Sequence, residues 1–254
     1  MNKKVIINAD DFGYTPAVTY GIIESFKKGI VSSTTALTVS PYFNEAMTIA
    51  RAMAPELPIG LHLALTLNDN YTALPKEKVS TLLGADGCFN RQGEFNQKVE
   101  TGKLDFDQVA LEWEAQFLRF LATGYTPTHI DSHHHVHRFE GVFQVAEYLA
   151  TKYSIPIRTV DKVTQVKQPC RTYVDFYGEG VSLEGLTAIF EDIKNSKEVI
   201  CGELSVHPSF IDEPLKGLTS YCEPRLRELS ILTSPEGKAA LEKSGLILTS
   251  FKAL

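Results

Sequence analysis

Short apolar runs and helix-period stripes alternate along the chain from end to end. Val5–Ala9 reads as a buried strand and Pro16–Lys28 as a helix, whose stripe is Val18, Ile22, Ile23 and Phe26 and which Gly29 stops. Thr34–Val39 is a second strand, followed by a helix over Phe43–Met53. Ile59–Leu65 is a third strand, and Phe106–Ala122 a long helix that turns Val109, Trp113, Phe117 and Phe120 inward. Thr128–Ser132, Ile155–Val160, Val199–Val206 and Leu246–Phe251 complete the predicted strands. Helices are predicted over Val142–Tyr153, near Leu183–Lys194 and near Ser234–Lys243. Such alternation predicts a parallel sheet with helical crossovers. No G-x-G-x-x-G follows the first strand, which weakens an open nucleotide-binding sheet. The fold expected is α/β: an irregular, TIM-like (β/α) barrel with fewer than eight regular strands, built as a single domain from residues 1–254. Gly84–Lys103 breaks the pattern and reads as an excursion over one end, either a lid or a surface insertion.

Bulk properties narrow the setting. With 254 residues, 43% of them hydrophobic, the chain can bury a full core. A formal net charge of −6 gives no electrostatic reason to expect nucleic acid or an anionic membrane as partner. The apolar run after Lys4 is too short for a signal peptide, and no stretch approaches a membrane span, so a cytoplasmic protein is expected. Cys88, Cys170, Cys201 and Cys222 form no C-x-x-C pair and are expected as reduced thiols.

The chemistry is concentrated at strand ends, where barrels keep their active sites. Asp10 and Asp11 stand side by side where the first strand opens into a loop. Neighbouring carboxylates raise each other's proton affinity unless a cation relieves the repulsion, so the pair asks for a metal or for two separate roles. His62 ends the third strand. Thr128–His137 holds five of the seven histidines within nine positions. Alternation puts His129, Asp131 and His133 on one face, which makes His133 the preferred ligand and Asp131 a residue that orients one. Asp11, His62 and His133 then form a two-histidine, one-carboxylate set with positions left open for water and substrate. Nitrogen donors favour Zn²⁺ over Mg²⁺, either of which is a candidate for the single divalent ion. Asp10 is left as general base. His207, ending another strand, is the candidate general acid, expected to be protonated at rest. His135, with Asp131, is expected to support the ligands or face the substrate. Phe12, Tyr14 and Phe139 are candidates to stack on a sugar.

The segments Asn8–Gly13, Gly29–Thr35, Ile59–His62, Pro127–His137 and Glu203–Pro208 together resemble the YdjC-like carbohydrate deacetylases. The resemblance covers nearly the whole chain and is weakest over Gly84–Lys103 and Lys162–Gly180. It implies an irregular (β/α) barrel, one divalent metal and removal of acetyl groups from N-acetylated sugars. It also implies metal binding by His62, His133 and Asp11, with Asp10 as base. The partner expected is an N-acetylated oligosaccharide, and a homodimer is the assembly held open. Two rivals remain: a metal-dependent phosphoesterase on a similar barrel, and a non-catalytic sugar-binding relative.

Overall fold

In the computed structural model the described residues are 3–67, 71–158 and 170–254. They form one parallel sheet curled within a shell of helices. Its central strand is β1 (Lys4–Phe12), followed in chain order by β2 (Ser33–Ala36), β3 (Ile59–Leu63), β4 (Ile130–Ser132), β5 (Arg171–Tyr173), β6 (Cys201–Val206) and β7 (Ile247–Thr249). The sheet runs β4-β3-β2-β1-β6-β5. One edge of β1 pairs with β6 from Lys4↔Cys201 to Ala9↔Val206. Its other edge takes β7 beside Lys4–Ile6 and β2 beyond Asn8. A strand paired on both edges and covered on both faces has no solvent side, which is why β1 carries an apolar run rather than a plain alternation.

Alternation still decides which residues reach the interior. Val5, Ile7 and Ala9 join the main apolar core with the helices, whereas Ile6 packs with Cys170, Cys201 and Phe251 in a small cluster that plugs the sheet's concave face. Continuing in steps of two from Ile6, Asn8 and Asp10 lie above that plug. From neighbouring strands Thr35, His62, Asp131, Glu203 and Ser205 join them in one buried polar network. The barrel interior is therefore charged, and the core lies between sheet and helices.

The helices are α1 (Pro16–Lys28), α2 (Phe43–Met53), α3 (Gln92–Glu100), α4 (Phe106–Leu121), α5 (Glu140–Tyr153), α6 (Leu183–Asn195), α7 (Glu213–Leu218), α8 (Glu223–Thr233) and α9 (Pro235–Ser244). In α1 the Thr15 side chain caps the Val18 amide and Pro16 opens the first turn, where a missing N–H costs nothing. In α4 the predicted Val109, Trp113, Phe117 and Phe120 are buried, and so are two polar residues between them. Glu112 accepts from the Ala73 and Leu74 amides, and Gln116 both accepts from and donates to the Ala64 backbone, so α4 clamps the chain after β3 from two points. No helix among the described residues is long and apolar enough to cross a membrane.

Three expectations need correction. Of Ile155–Val160, only Ile157 pairs, as a single bridge to Ile130, and residues 159 and 160 lie outside the described residues. Gly84–Lys103 is more regular than its sequence pattern suggests: Leu83 bridges Phe89, α3 forms, buried Phe95 packs its ring on Phe139 at 5.9 Å, and Gln92 reaches the cavity at the strand ends. Cys170 and Cys201 are joined by a disulfide rather than held as thiols. The register Arg171↔Gly202 brings these two residues face to face across β5 and β6.

Gly60 illustrates how tightly the lower interior is filled. A Cβ there would stand 2.4 Å from His129 Nδ1 and 2.8 Å from the His129 carbonyl oxygen. The His129 ring cannot retreat, because it stacks on Phe251 at 3.7 Å. Gly60→Ala is therefore expected to cost ~1–3 kcal/mol, the usual range for overpacking. Denaturant unfolding at parental stability would show that the histidine is free to move.

Candidate active site

The strand ends carrying Asp10, Asp11, His62, His133, Ser205 and His207 surround a cavity of about 370 Å³, within the range of small-molecule sites. Two local departures from regular structure aim these side chains. The β1–β2 register shifts between Ala9 and Phe12, and Asp11 takes a left-handed φ of 71°. That bulge lets two successive carboxylates reach one cavity, which a regular strand would forbid. After β4 the chain turns through His134 and His135 with φ of 53° and 51°. Such conformations cost about 1–3 kcal/mol each and persist only where the surroundings enforce them.

The predicted ligand set converges. Asp11 Oδ1 lies 2.9 Å from His133 Nδ1 and 3.2 Å from His62 Nε2. His62 Nδ1 faces Asp131 Oδ1 at 2.7 Å, and Thr35 Oγ1 donates to Asp131 Oδ2 at 3.0 Å. With its Nδ1 hydrogen engaged, His62 can present Nε2 as a donor. Three buried donor atoms of suitable type, spaced to share one small cation, fit a divalent ion. Burial alone would lower the proton affinity of His62, but Asp131 and Asp11 outweigh it and raise the pKa to about 10.

A second Asp–His–Asp grouping, Asp10, His62 and Asp131, is already served by a cation from the chain. The Arg158 guanidinium donates to both oxygens of Asp10 at 2.7 Å, lies 2.9 Å from Asp131 Oδ2, and donates to Glu203 at 2.8 Å. Asn8 Nδ2 and Ser205 Oγ also donate to Asp10, at 2.8 and 2.9 Å. Burial pushes Asp10 up, yet Arg158 overrides it and holds the carboxyl well below its ordinary range. Arg225 plays the matching part for Asp11: its Nη2 donates to Oδ2 at 2.7 Å, leaving Oδ1 to the two histidines.

His207 sits at the same rim with Nε2 4.0 Å from Asp10 Oδ2 and Nδ1 4.0 Å from Glu228 Oε1. The Glu228 carboxylate also accepts from the His207 backbone amide and from the Tyr221 hydroxyl. Burial, reinforced by Arg225, lowers the His207 pKa to about 4, so the imidazole is neutral at rest, not cationic as the sequence suggested. His135 lines the cavity and is likewise neutral, pushed down to about 3 by burial and Arg158.

Among the aromatic candidates only Tyr14 lines the cavity, its ring 5.9 Å from His133; Phe12 is fully buried in the core and Phe139 packs on α3. Sequence reasoning missed Arg158, Arg225, Glu228, Tyr177 and Tyr221. Arg158 alone left a trace, as a charge ending the apolar run Ile155-Pro156-Ile157.

Comparison with known proteins places the chain in a family. The chain is 44% identical to a carbohydrate deacetylase of Enterococcus faecalis, over all of this chain and 98% of that one. It is 39% identical to a chitooligosaccharide deacetylase of Yersinia pestis, over 99% of both. A crystal structure from Enterococcus faecalis V583, described as a candidate cellobiose-phosphate cleavage protein, superposes with a TM-score of 0.93 at 43% identity, covering 99% of this chain and 98% of that one. The family model described as YdjC-like protein matches residues 4–243, and the chain belongs to that family.

Proposed function

We propose that this protein removes acetyl groups from N-acetylated carbohydrates of the chitooligosaccharide type, releasing acetate and an amino sugar. The observation that carries the reading is the Asp11–His62–His133 cluster at the base of a cavity, flanked by Asp10 and His207, in a chain whose relatives are named deacetylases. Asp11, His62 and His133 would hold one divalent ion, with Zn²⁺ better suited than Mg²⁺ to two imidazole donors. When bound, the ion supplies Lewis acidity that polarises the acetyl carbonyl and makes a water molecule more acidic.

The chain's own residues move the proton. Asp10 Oδ2 faces the cavity, and one of its two hydrogen bonds comes from Ser205, a hydroxyl that can rotate away. Asp10 takes the proton of the attacking water through that oxygen. Arg158 makes the protonated state short-lived, so the proton passes to His207 Nε2. A neutral imidazole with lowered proton affinity accepts it and then gives it up to the departing nitrogen. The water oxygen joins the acetyl carbon, and the C–N bond breaks.

Of the two arginines that line the cavity, Arg225 is already committed to Asp11, which leaves the phosphoesterase reading with exposed Arg138 alone. Acetate release from N-acetylated glucosamine oligomers, measured with and without added Zn²⁺, tests the function itself. Asp10→Asn and His207→Ala are each expected to retain metal and lower kcat by ~10²–10⁴-fold. Because His207 is neutral above about pH 4, its removal should leave any alkaline limb of the pH–rate curve in place. Parental turnover in Asp10→Asn would move the base elsewhere, with Asp131 the next candidate.

A further inference from the structure

A column of planar groups rises from the metal cluster to the cavity mouth. Arg225 donates to Asp11 at 2.7 Å, and its guanidinium carbon lies 5.7 Å from the Tyr221 ring centre. Tyr221 in turn stacks on Tyr177 with centroids 4.0 Å apart and planes 1° from parallel. The Tyr221 ring is fixed at its hydroxyl, which donates to Glu228 at 2.8 Å and accepts from the Gly178 amide at 2.9 Å. Tyr177, by contrast, is 51% exposed, and nearby Val174 at the same rim is 48% exposed. His207 stands 5.7 and 6.1 Å from the two tyrosine centroids with its plane steeply tilted to both. Being nearly equidistant from the two, it lies beside the stack and leaves the outer face of Tyr177 uncovered.

We propose that the outer face of Tyr177 is a subsite for a second sugar ring, the neighbour of the one that carries the reacting acetamido group. The proposal rests on the deacetylase reading and deepens it by naming the side chain that holds the second unit of the oligosaccharide. A pyranose ring has an apolar C–H face that an aromatic ring can cover, and a half-exposed tyrosine backed by a second, anchored ring is a rigid surface needing little ordering on binding. By way of Arg225 and Tyr221, Tyr177 is two side chains removed from Asp11, a separation that suits the neighbour of the reacting sugar. On the other side, Nε2 of His207 faces Asp10 while Nδ1 faces Glu228, which also holds Tyr221. An oligosaccharide could therefore place one residue over the cluster and the next on Tyr177, with His207 beside the bond to be cleaved.

Acetate release from N-acetylglucosamine, its β-1,4-linked dimer and its trimer by the intact protein, Tyr177→Ala and Tyr177→Phe tests this. Tyr177→Ala should raise KM for dimer and trimer roughly threefold to tenfold, leave kcat close to parental, and leave the monosaccharide's kinetics unchanged. Tyr177→Phe, which keeps the ring, should match the parent. An equal rise for the monosaccharide, or parental KM for the dimer in Tyr177→Ala, would overturn the subsite. If the parent releases no acetate from any of the three, the deacetylase reading fails. Calorimetric titration with the same dimer and trimer then decides the subsite separately: it stands if Tyr177→Ala weakens their binding by a similar factor, and falls if binding is equal or the parent binds neither.

Discussion

His62→Ala is expected to abolish the proposed divalent-ion binding and acetate release while leaving the protein folded. His62 offers Nε2 to the space it shares with Asp11 and His133, and it is the only one of the three whose other ring nitrogen is braced by a carboxylate. Asp131→Asn should give a graded version of the same loss, since removing a partner that orients a ligand typically costs ~10–100-fold in metal affinity. Metal content by elemental analysis after gel filtration checks both, and full occupancy in His62→Ala would remove this histidine from the site. The ion-free site also fixes a pH dependence. With a pKa raised to about 10, His62 is protonated on both nitrogens at neutral pH and donates to Asp11 as well as to Asp131. Ion uptake must expel the Nε2 proton, so affinity should rise about tenfold per pH unit between pH 6 and 9, with about one proton released. Calorimetry in buffers of different ionisation enthalpy counts that proton, and a count near zero would contradict the arrangement.

The parts of the site that were legible in the sequence are those that local pattern controls. A helix with an apolar stripe and a proline or capping residue at its start declares its own limits, as α1 does, and α2 begins and ends where its stripe alone places it. Asp10, Asp11, His62 and His133 were legible because a polar residue ending an apolar strand has few other reasons to be there. Strand ends were overdrawn: β2 stops at Ala36, and after Leu37 the chain turns at Thr38 and Val39 towards α2. α8 was invisible because its buried face includes Arg225 and Glu228, which any hydrophobic pattern scores as surface. Such residues are buried only because partners distant in the chain satisfy them, and spacing carries no trace of that. The same holds for Cys170 and Cys201, which meet through sheet register across 31 residues. Phe12 and Phe139 were misread for the opposite reason: an aromatic near a strand end looks alike whether it faces a ligand or the core.

Replacing Arg158 should have the largest effect on stability of any single change in the interior. Its guanidinium is 1% exposed and serves Asp10, Asp131 and Glu203 on three different strands, tying the segment beyond β4 to β1 and β6 across the barrel. Arg158→Met has the length to fill the space but leaves three carboxyl groups buried without their cation. Removing one partner of a buried ion pair costs ~3–5 kcal/mol, because the charge left behind can neither reach water nor find a substitute. The three carboxyls will not share that cost evenly. Glu203 is held at about 7, since burial raises it more than Arg158 lowers it, so it can escape by taking a proton near neutral pH. Asp10 has the most to lose, because Arg158 holds its carboxyl well below the ordinary range in the parent, and in the variant burial alone pushes it up. A depressed carboxyl stabilises the fold above its unfolded value near 3.9, and that contribution is lost as pH falls through the folded value. The gap between parent and Arg158→Met should therefore be widest near pH 7 and shrink below about pH 4. Asp10→Asn in the Arg158→Met background should recover part of the loss, since the two residues act as one unit. Urea unfolding of parent, single and double variants from about pH 3 to pH 8 would measure both effects. A pH-independent gap, or a loss under ~1 kcal/mol at pH 7, would mean that water or a rearranged side chain reaches these carboxylates and that Arg158 does not hold the barrel interior together.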